Sequence, residues 1–299
     1  MRILLLGKNG QVGWELQRAL APLGELTALD FDTPGPWRAD FTQCESLTPM
    51  LLALQPQLIV NAAAHTAVDK AEAEPHIAQT INATAVGVLA QYAAKSGALL
   101  AHYSTDYVFD GSGDHARDEE AATAPLSVYG RTKLEGEQLI RASGCRHLIL
   151  RTSWVYAARG GNFARTMLKI AGERESLNVV DDQVGAPTGA ELLADVTAHA
   201  ALRTLATPAL AGTYHVVADG HTSWYGYATH VIEWARAHGH PVKVPAAAVR
   251  PVLTSAFPTP AKRPLNSRLS TRKLRDTFGL QPAPWQAGVE RMLAEVLGR

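Results

Sequence analysis

The chain has 299 residues, of which 46% are apolar and 19% charged, with 28 Lys plus Arg balancing 28 Asp plus Glu. This composition describes a soluble globular protein long enough for a sizeable core and two lobes, and the even charge argues against nucleic acid or an anionic membrane surface as partner. No stretch is apolar enough to span a bilayer, the apolar start is too short for a signal peptide, and Cys44 and Cys145 read as buried thiols; the cytoplasm is the expected location.

Arg2–Leu6 is a short apolar run that reads as a buried strand and leads into Gly7-Lys8-Asn9-Gly10-Gln11-Val12-Gly13. An amphipathic helix is expected over Trp14–Leu23. Strand, glycine turn and helix in that order suit a dinucleotide, because glycines let the backbone approach a pyrophosphate and a helix N-terminus offers it free amides. A second strand is predicted at Leu26–Asp30, and Asp30 stands where an acid binds ribose hydroxyls. A helical pattern over Cys44–Leu54 precedes the third strand, Leu58–Asn61, which runs into the small residues Ala62, Ala63 and Ala64 that would admit a flat cofactor.

The alternation continues with a helix over Pro75–Ser96, a strand at Leu99–Ser104, a helix over Ser127–Ser143 and a strand at His147–Thr152. It predicts an α/β fold with a doubly wound, Rossmann-like parallel sheet, whose ligands bind beyond the carboxyl ends of the strands. The later chain is rich in proline, from Pro187 to Pro264. Together with Gly212–Tyr214 this points to a smaller C-terminal α/β substrate lobe of loops, short strands and a few helices, closed by an amphipathic helix over Trp285–Leu297. Residues 1–155 are expected to form mainly the dinucleotide-binding domain and residues 156–299 mainly the substrate lobe, with segments returning to the first domain.

Within the predicted Ser127–Ser143 helix, Tyr129 and Lys133 stand four residues apart and share one face. An ammonium beside a phenol favours the phenolate and is expected to pull its pKa below about 10, giving a proton donor and acceptor usable near neutral pH. Thr105 adds a hydroxyl that can hold the oxygen whose proton moves. His65, His102 and His215 lack metal-ligand spacing and read as structural.

Gly7–Gly13, Asn61-Ala62-Ala63-Ala64, Ser104-Thr105-Asp106 and the Tyr129–Lys133 pair together resemble the extended short-chain dehydrogenase/reductase superfamily. The segments Asn61 to Glu72, Ser104 to Gly111, Arg151 to Tyr156, Asp181 to Thr188 and Arg263 to Ser267 are similar to those of the dTDP-4-dehydrorhamnose reductase family, so that the resemblance covers nearly the whole chain. It implies NAD(P)H-dependent reduction of the C4 keto group of dTDP-4-dehydro-6-deoxy-L-mannose to dTDP-L-rhamnose, an activated sugar for cell-surface polysaccharide. Thr105, Tyr129 and Lys133 would be catalytic. Cofactor contacts would come from Gly7, Asn9, Gly10, Gln11, Val12, Gly13, Asp30, Asp40, Phe41, Ala62, Ala63 and Ala64, with Tyr129 and Lys133. Thr66, Val68, Thr105, Asp106 and Trp154 would meet the sugar, the indole as an apolar wall.

The same resemblance sets up a tension over the cofactor. A carboxylate at Asp30 should repel a 2′-phosphate and favour NADH, whereas the family is associated with NADPH or with either cofactor; Lys8 and Arg38 are the cations that could offset the repulsion. Some family members also bind magnesium through glutamates at a dimer contact, which implies a homodimer here and a non-catalytic Mg2+ on Glu15, Glu191 and Glu295. A nucleotide-sugar 4,6-dehydratase needs an acid after the Thr-Asp pair, and Tyr107 occupies that place. Another nucleotide-sugar 4-reductase, a 4-epimerase, or a non-catalytic NADP-binding regulatory subunit of the same fold, as accompanies methionine adenosyltransferase, are the alternatives.

Overall fold

The computed structural model describes residues 1–298. Five strands, β1 (Arg2–Leu6), β2 (Glu25–Leu29), β3 (Leu58–Asn61), β4 (Leu99–Thr105) and β5 (His147–Thr152), join the strand Gly212–His215 in one sheet. Its order is Gly212–His215, β5, β4, β3, β1, β2, and every pairing is parallel. The strands are mainly apolar, β1, β3, β4 and β5 most of all, because both faces are covered, as a parallel sheet requires. Ile3, Leu5, Val60 and Leu150 pack on one face with Leu16, Leu20 and Leu193. Leu4, Leu6, Ile59 and Ile149 pack on the other with Leu51, Leu89 and Ile140. The strand order reverses between β1 and β3, which marks that point as the place for a ligand.

The strand assignments hold to within a residue, and Asp30 falls just past the end of β2 rather than inside it. The first helix, α1, spans Gln11–Leu20 and so begins inside the glycine turn rather than at Trp14, with a 3-10 turn at Ala21–Leu23. The expected Pro75–Ser96 helix is continuous but carries a π-helical turn at Thr80–Thr84. That widened turn aims Asn82 sideways, where its amide bonds both the His65 backbone and the Thr132 hydroxyl.

A second body of packed side chains gathers the helices Phe163–Glu173, Trp224–Ala237 and Trp285–Leu297 beside the paired strands Leu177–Val180 and Val249–Val252. Gly212–Tyr214 does not belong to it. That segment pairs with β5 because Tyr214 and Val216 find their apolar partners on the main sheet. The helix Ala190–Ala206 likewise packs on α1, and Arg272–Phe278 closes over the sheet edge through the Tyr214–Phe278 ring contact.

One buried ion pair locks the Val128–Ala142 helix to the sheet. Glu137 is fully buried, and Arg151 on β5 donates to it twice, Nε to Oε1 at 2.8 Å and Nη2 to Oε2 at 2.7 Å. Arg141, one turn further along the helix, adds a third bond at 2.7 Å. Burial opposes the carboxylate, but these guanidinium contacts overcome it and hold its pKa below the usual value. Arg151→Met is expected to destabilise the protein by about 3–5 kcal/mol by stranding the Glu137 charge, whereas adding Glu137→Leu should restore most of that loss. Urea unfolding at neutral pH measures both variants, and a double variant as unstable as the single one would contradict the assigned cause.

Candidate active site

A cleft of about 440 Å3 opens at the carboxyl ends of the strands. Two others, of about 400 and 410 Å3, lie at the opposite end of the sheet and beside the helix Ala85–Ser96, among residues such as Arg2, Gln55 and Tyr92. Neither gathers the groups described below. One wall of the strand-end cleft is the glycine turn, through Gly10, Gln11 and Val12. Gly7 sits at φ +85°, and a Cβ on Gly13 would lie 1.9 Å from the Gly7 carbonyl oxygen. Gly10 caps α1 with extended backbone and no side-chain bond, so the first amides of the helix face the cleft uncapped. This is a cradle that only glycine permits, and it fits a pyrophosphate. Ala62 and Ala64, from the segment after β3, keep the opposite wall flat.

The floor is built from two elements. Thr105 ends β4, and its hydroxyl donates to Asp106 Oδ1 at 3.1 Å while accepting from the Tyr107 N–H at 3.2 Å. Tyr129 and Lys133 come from the Val128–Ala142 helix, which is started by the Ser127 hydroxyl accepting from the Gly130 N–H at 3.1 Å. Gly130 lets this helix sit hard against the turn after β4, since a Cβ there would come within 2.3 Å of the Tyr107 carbonyl oxygen. The helix and β4 thereby bring Thr105, Tyr129 and Lys133 to one cleft.

The electrostatics differ from the expectation of a phenol lowered by its lysine. Tyr129 keeps some exposure to the cleft, yet protein encloses it closely enough that desolvation pushes its pKa up to about 12. The Thr105 hydroxyl pulls it back and the charge of Asp106 adds to the rise. Lys133 does not counter this, because its Nζ is held elsewhere, donating to the Tyr103 carbonyl at 2.6 Å and lying 3.1 Å from His102 Nε2. Burial brings Lys133 itself down to about 8, against the pull of Glu137. The site therefore keeps a protonated phenol at neutral pH, the form that can give up a proton.

The remaining walls carry polar and aromatic groups. Burial pushes Asp106 up to about 6, and among the described residues its Oδ2 has no hydrogen-bond partner. Thr66 and Val68 line the cleft as expected. Trp154 follows β5 at φ +49°, a backbone shape rare for a non-glycine residue, and its ring stacks on Trp224 with centroids 3.6 Å apart. Ser104, Tyr107, Ser153, Val155 and Trp224 also line the cleft and were not anticipated. Ser104 and Tyr107 adjoin Thr105-Asp106 in sequence, which is a usable signal. Trp224 has none, since it begins a helix far along the chain and reaches the cleft only through Trp154.

Other expected residues lie off the cleft lining. Gly7, Gly13 and Ala63 shape the turn from behind: a Cβ on Gly7 would meet the Ala63 nitrogen at 2.6 Å. Asp30 supports the same turn, its Oδ2 accepting from the Asn9 N–H at 3.0 Å, while the Asn9 side chain donates to Asp32. Asp40 is occupied as a turn cap, accepting from the Thr42 N–H, the Thr42 hydroxyl and the Gln43 amide. The Phe41 ring is buried with Leu6, Leu29 and Leu47, so only its backbone is left to meet a cofactor.

The magnesium expectation gains no support from the structure. Glu15, Glu191 and Glu295 sit on three separate helices, and among the described residues no three His, Cys, Asp or Glu side chains are placed to share a metal. Glu191 is raised by burial and by the charges of Glu15 and Glu295, and Glu15 pairs with Arg18 at 3.5 Å. His102 and His215 are buried in the protein interior, both lowered chiefly by desolvation. No helix is long and apolar enough to cross a membrane among the described residues.

Comparison with known proteins agrees with this geometry. The family model described as the RmlD substrate binding domain matches residues 1–297. The dTDP-4-dehydrorhamnose reductase of Escherichia coli strain K12 is 56% identical over 296 residues, covering 99% of this chain and 98% of that protein. A crystal structure of a dTDP-4-dehydrorhamnose reductase from Clostridium acetobutylicum superposes with a TM-score of 0.89 at 35% identity, covering 100% of both chains. The dTDP-4-dehydrorhamnose reductase of Bacillus anthracis, solved in complex with NADP, gives a TM-score of 0.87 at 34% identity, covering 98% of this chain and 99% of that one. The chain belongs to the RmlD substrate binding domain family, alongside the dTDP-4-dehydrorhamnose reductases to which it is similar over its whole length.

Proposed function

We propose that the protein is an NAD(P)H-dependent oxidoreductase that reduces the C4 keto group of dTDP-4-dehydro-6-deoxy-L-mannose to give dTDP-L-rhamnose for cell-surface polysaccharide. The observation that carries this reading is the meeting of the glycine turn with Thr105, Tyr129 and Lys133 in one cleft at the reversal of strand order. A bound nicotinamide supplies the hydride. Gly7, Gly10 and Gly13 with the start of α1 suit its pyrophosphate, and Ala62 and Ala64 leave room for its flat rings.

The chain's own part is proton supply and positioning. Thr105 holds the reacting oxygen and stabilises the charge that develops on it. Tyr129, protonated at neutral pH, gives that oxygen its proton, and Lys133 stabilises the phenolate that remains. The unpartnered oxygen of Asp106 is suited to a sugar hydroxyl, and the Trp154–Trp224 stack supplies an apolar wall. Tyr107 cannot act as the base of a dehydratase, since burial pushes its phenol far above its ordinary value. Asp30 stands beside the turn at Asn9, where it favours a free 2′-hydroxyl, while the relative from Bacillus anthracis holds NADP. Use of either cofactor reconciles the two.

The purified protein is expected to oxidise NADPH or NADH when given dTDP-glucose together with a known dehydratase and 3,5-epimerase. No loss of absorbance with authentic substrate and both cofactors would exclude reduction, and turnover without net cofactor oxidation would indicate an epimerase. Tyr129→Phe should lower kcat about a hundredfold or more while cofactor binding, followed by fluorescence, stays intact. Near-normal turnover in that variant would remove Tyr129 from the proton transfer. Asp30→Ala should raise the NADPH-to-NADH ratio of kcat/KM by about tenfold, and an unchanged ratio would show that the carboxylate does not meet the 2′ position.

A further inference from the structure

Behind Lys133, on the side away from the cleft, lies a chain of buried polar groups that the proposed reaction does not use. Asn61 ends β3 and pairs in register with His102 on β4, so their side chains leave the sheet side by side. Both are buried, as is Lys133. The Ala63 N–H donates to Asn61 Oδ1 at 3.1 Å, which fixes the orientation of the amide. Asn61 Nδ2 then faces His102 Nδ1 at 3.0 Å, and His102 Nε2 faces Lys133 Nζ at 3.1 Å.

The donors and acceptors in this chain are fully matched in one arrangement, which has the lysine neutral. Asn61 Nδ2 can only donate, so His102 Nδ1 carries no proton and the ring is not an imidazolium. A neutral imidazole must then hold its proton on Nε2, and that N–H points at Lys133 Nζ. An ammonium has no lone pair to receive it, whereas a neutral amine accepts it and still donates to the Tyr103 carbonyl at 2.6 Å. We propose that Asn61 and His102 are positioning residues that lower the midpoint of Lys133: Asn61 selects the imidazole tautomer, and the His102 Nε2–H bonds to the lysine lone pair when the amine is neutral, so that losing the proton from Lys133 is made easier in the free enzyme.

The other groups around the lysine are consistent with this assignment. On its own helix Glu137 favours the ammonium from one turn away, but Arg151 and Arg141 already hold that carboxylate, and Tyr129 is a neutral phenol at neutral pH. From β4 come only the His102 ring and the Tyr103 carbonyl. Burial lowers both Lys133 and His102, and the charge of a protonated Lys133 further disfavours an imidazolium.

The consequence for catalysis rests on the reductase reading given above. Stabilising a phenolate on Tyr129 needs the lysine protonated, so activity should fall as pH rises through the Lys133 midpoint, and anything that raises that midpoint should move the fall to higher pH. Asn61→Asp reverses the tautomer. The carboxylate still accepts from Ala63 but now also accepts a hydrogen bond from His102 Nδ1–H, which frees Nε2 to accept from a Lys133 ammonium. His102→Gln allows an amide oxygen to do the same.

The test is nitrogen-detected NMR of the free, full-length protein labelled at histidine and lysine. Wild type should show His102 neutral with the proton on Nε2, and Lys133 titrating near pH 8. In Asn61→Asp and His102→Gln the Lys133 midpoint should rise by about one pH unit or more. An Nδ1-protonated ring or an imidazolium at neutral pH in wild type, or a Lys133 midpoint that does not move in a folded variant, would overturn the proposal. The wild-type tautomer needs no variant, and none of these spectra needs substrate. Failure of the reductase reading would instead appear as absent turnover with the tautomer intact. In an active enzyme the basic limb of kcat/KM should move upward with the lysine midpoint; a purely structural role for His102 would lower the rate at every pH and leave the limb in place.

Discussion

The placement of the Val128–Ala142 helix against β4 and β5 governs everything in the cleft, and the Glu137–Arg151 ion pair secures that placement. A carboxylate with no exposure is costly to bury unless its partner meets it with good geometry. Here the guanidinium supplies two parallel bonds to it, and those bonds set the helix's height along the sheet. One turn earlier on the same helix Lys133 meets β4, and one turn before that Tyr129 reaches the strand end where Thr105 waits. Gly130 is needed for the same reason, since a side chain there would lift the helix away from the turn after β4.

Desolvation, rather than charge pairing, dominates the chemistry of this cleft. It is the largest influence on Tyr129, Lys133, Asp106 and His102, and it pushes each group toward its neutral form. The phenol stays protonated at neutral pH, while an aspartic acid raised to about 6 and a lysine lowered to about 8 both titrate close to neutrality. The simple picture of an ammonium lowering its neighbouring phenol omits the competition for the lysine's hydrogens. The Tyr103 carbonyl takes one of them in this structure, and the His102 ring occupies the nitrogen's other side.

Much of the architecture was legible because its signals are local. Apolar runs at Arg2–Leu6, Leu58–Asn61 and His147–Thr152 match strands to the residue, and Trp285–Leu297 matches a helix, since burial on both sheet faces or on one helical stripe leaves a pattern in neighbouring residues. The cleft's glycine turn, Thr105, Tyr129 and Lys133 were legible for the same reason, each belonging to a short motif. Gly212–Tyr214 was not. Its place in the main sheet depends on a pairing with β5 made across some sixty intervening residues, and nothing within the segment records its partner.

The sequence by itself determined a doubly wound α/β chain, a nucleotide cradle at its start and the residue types of a proton-transfer set. Those follow from spacing and from what glycine, tyrosine and lysine can do chemically. Tertiary structure alone decided that Trp224 backs Trp154, that Phe41 is core and that Lys133 hydrogen-bonds to His102 instead of the phenol. Each of those outcomes depends on which distant groups share a dehydrated space. Spacing along the chain does not encode it, because hydrogen bonding and desolvation act through distance in the fold.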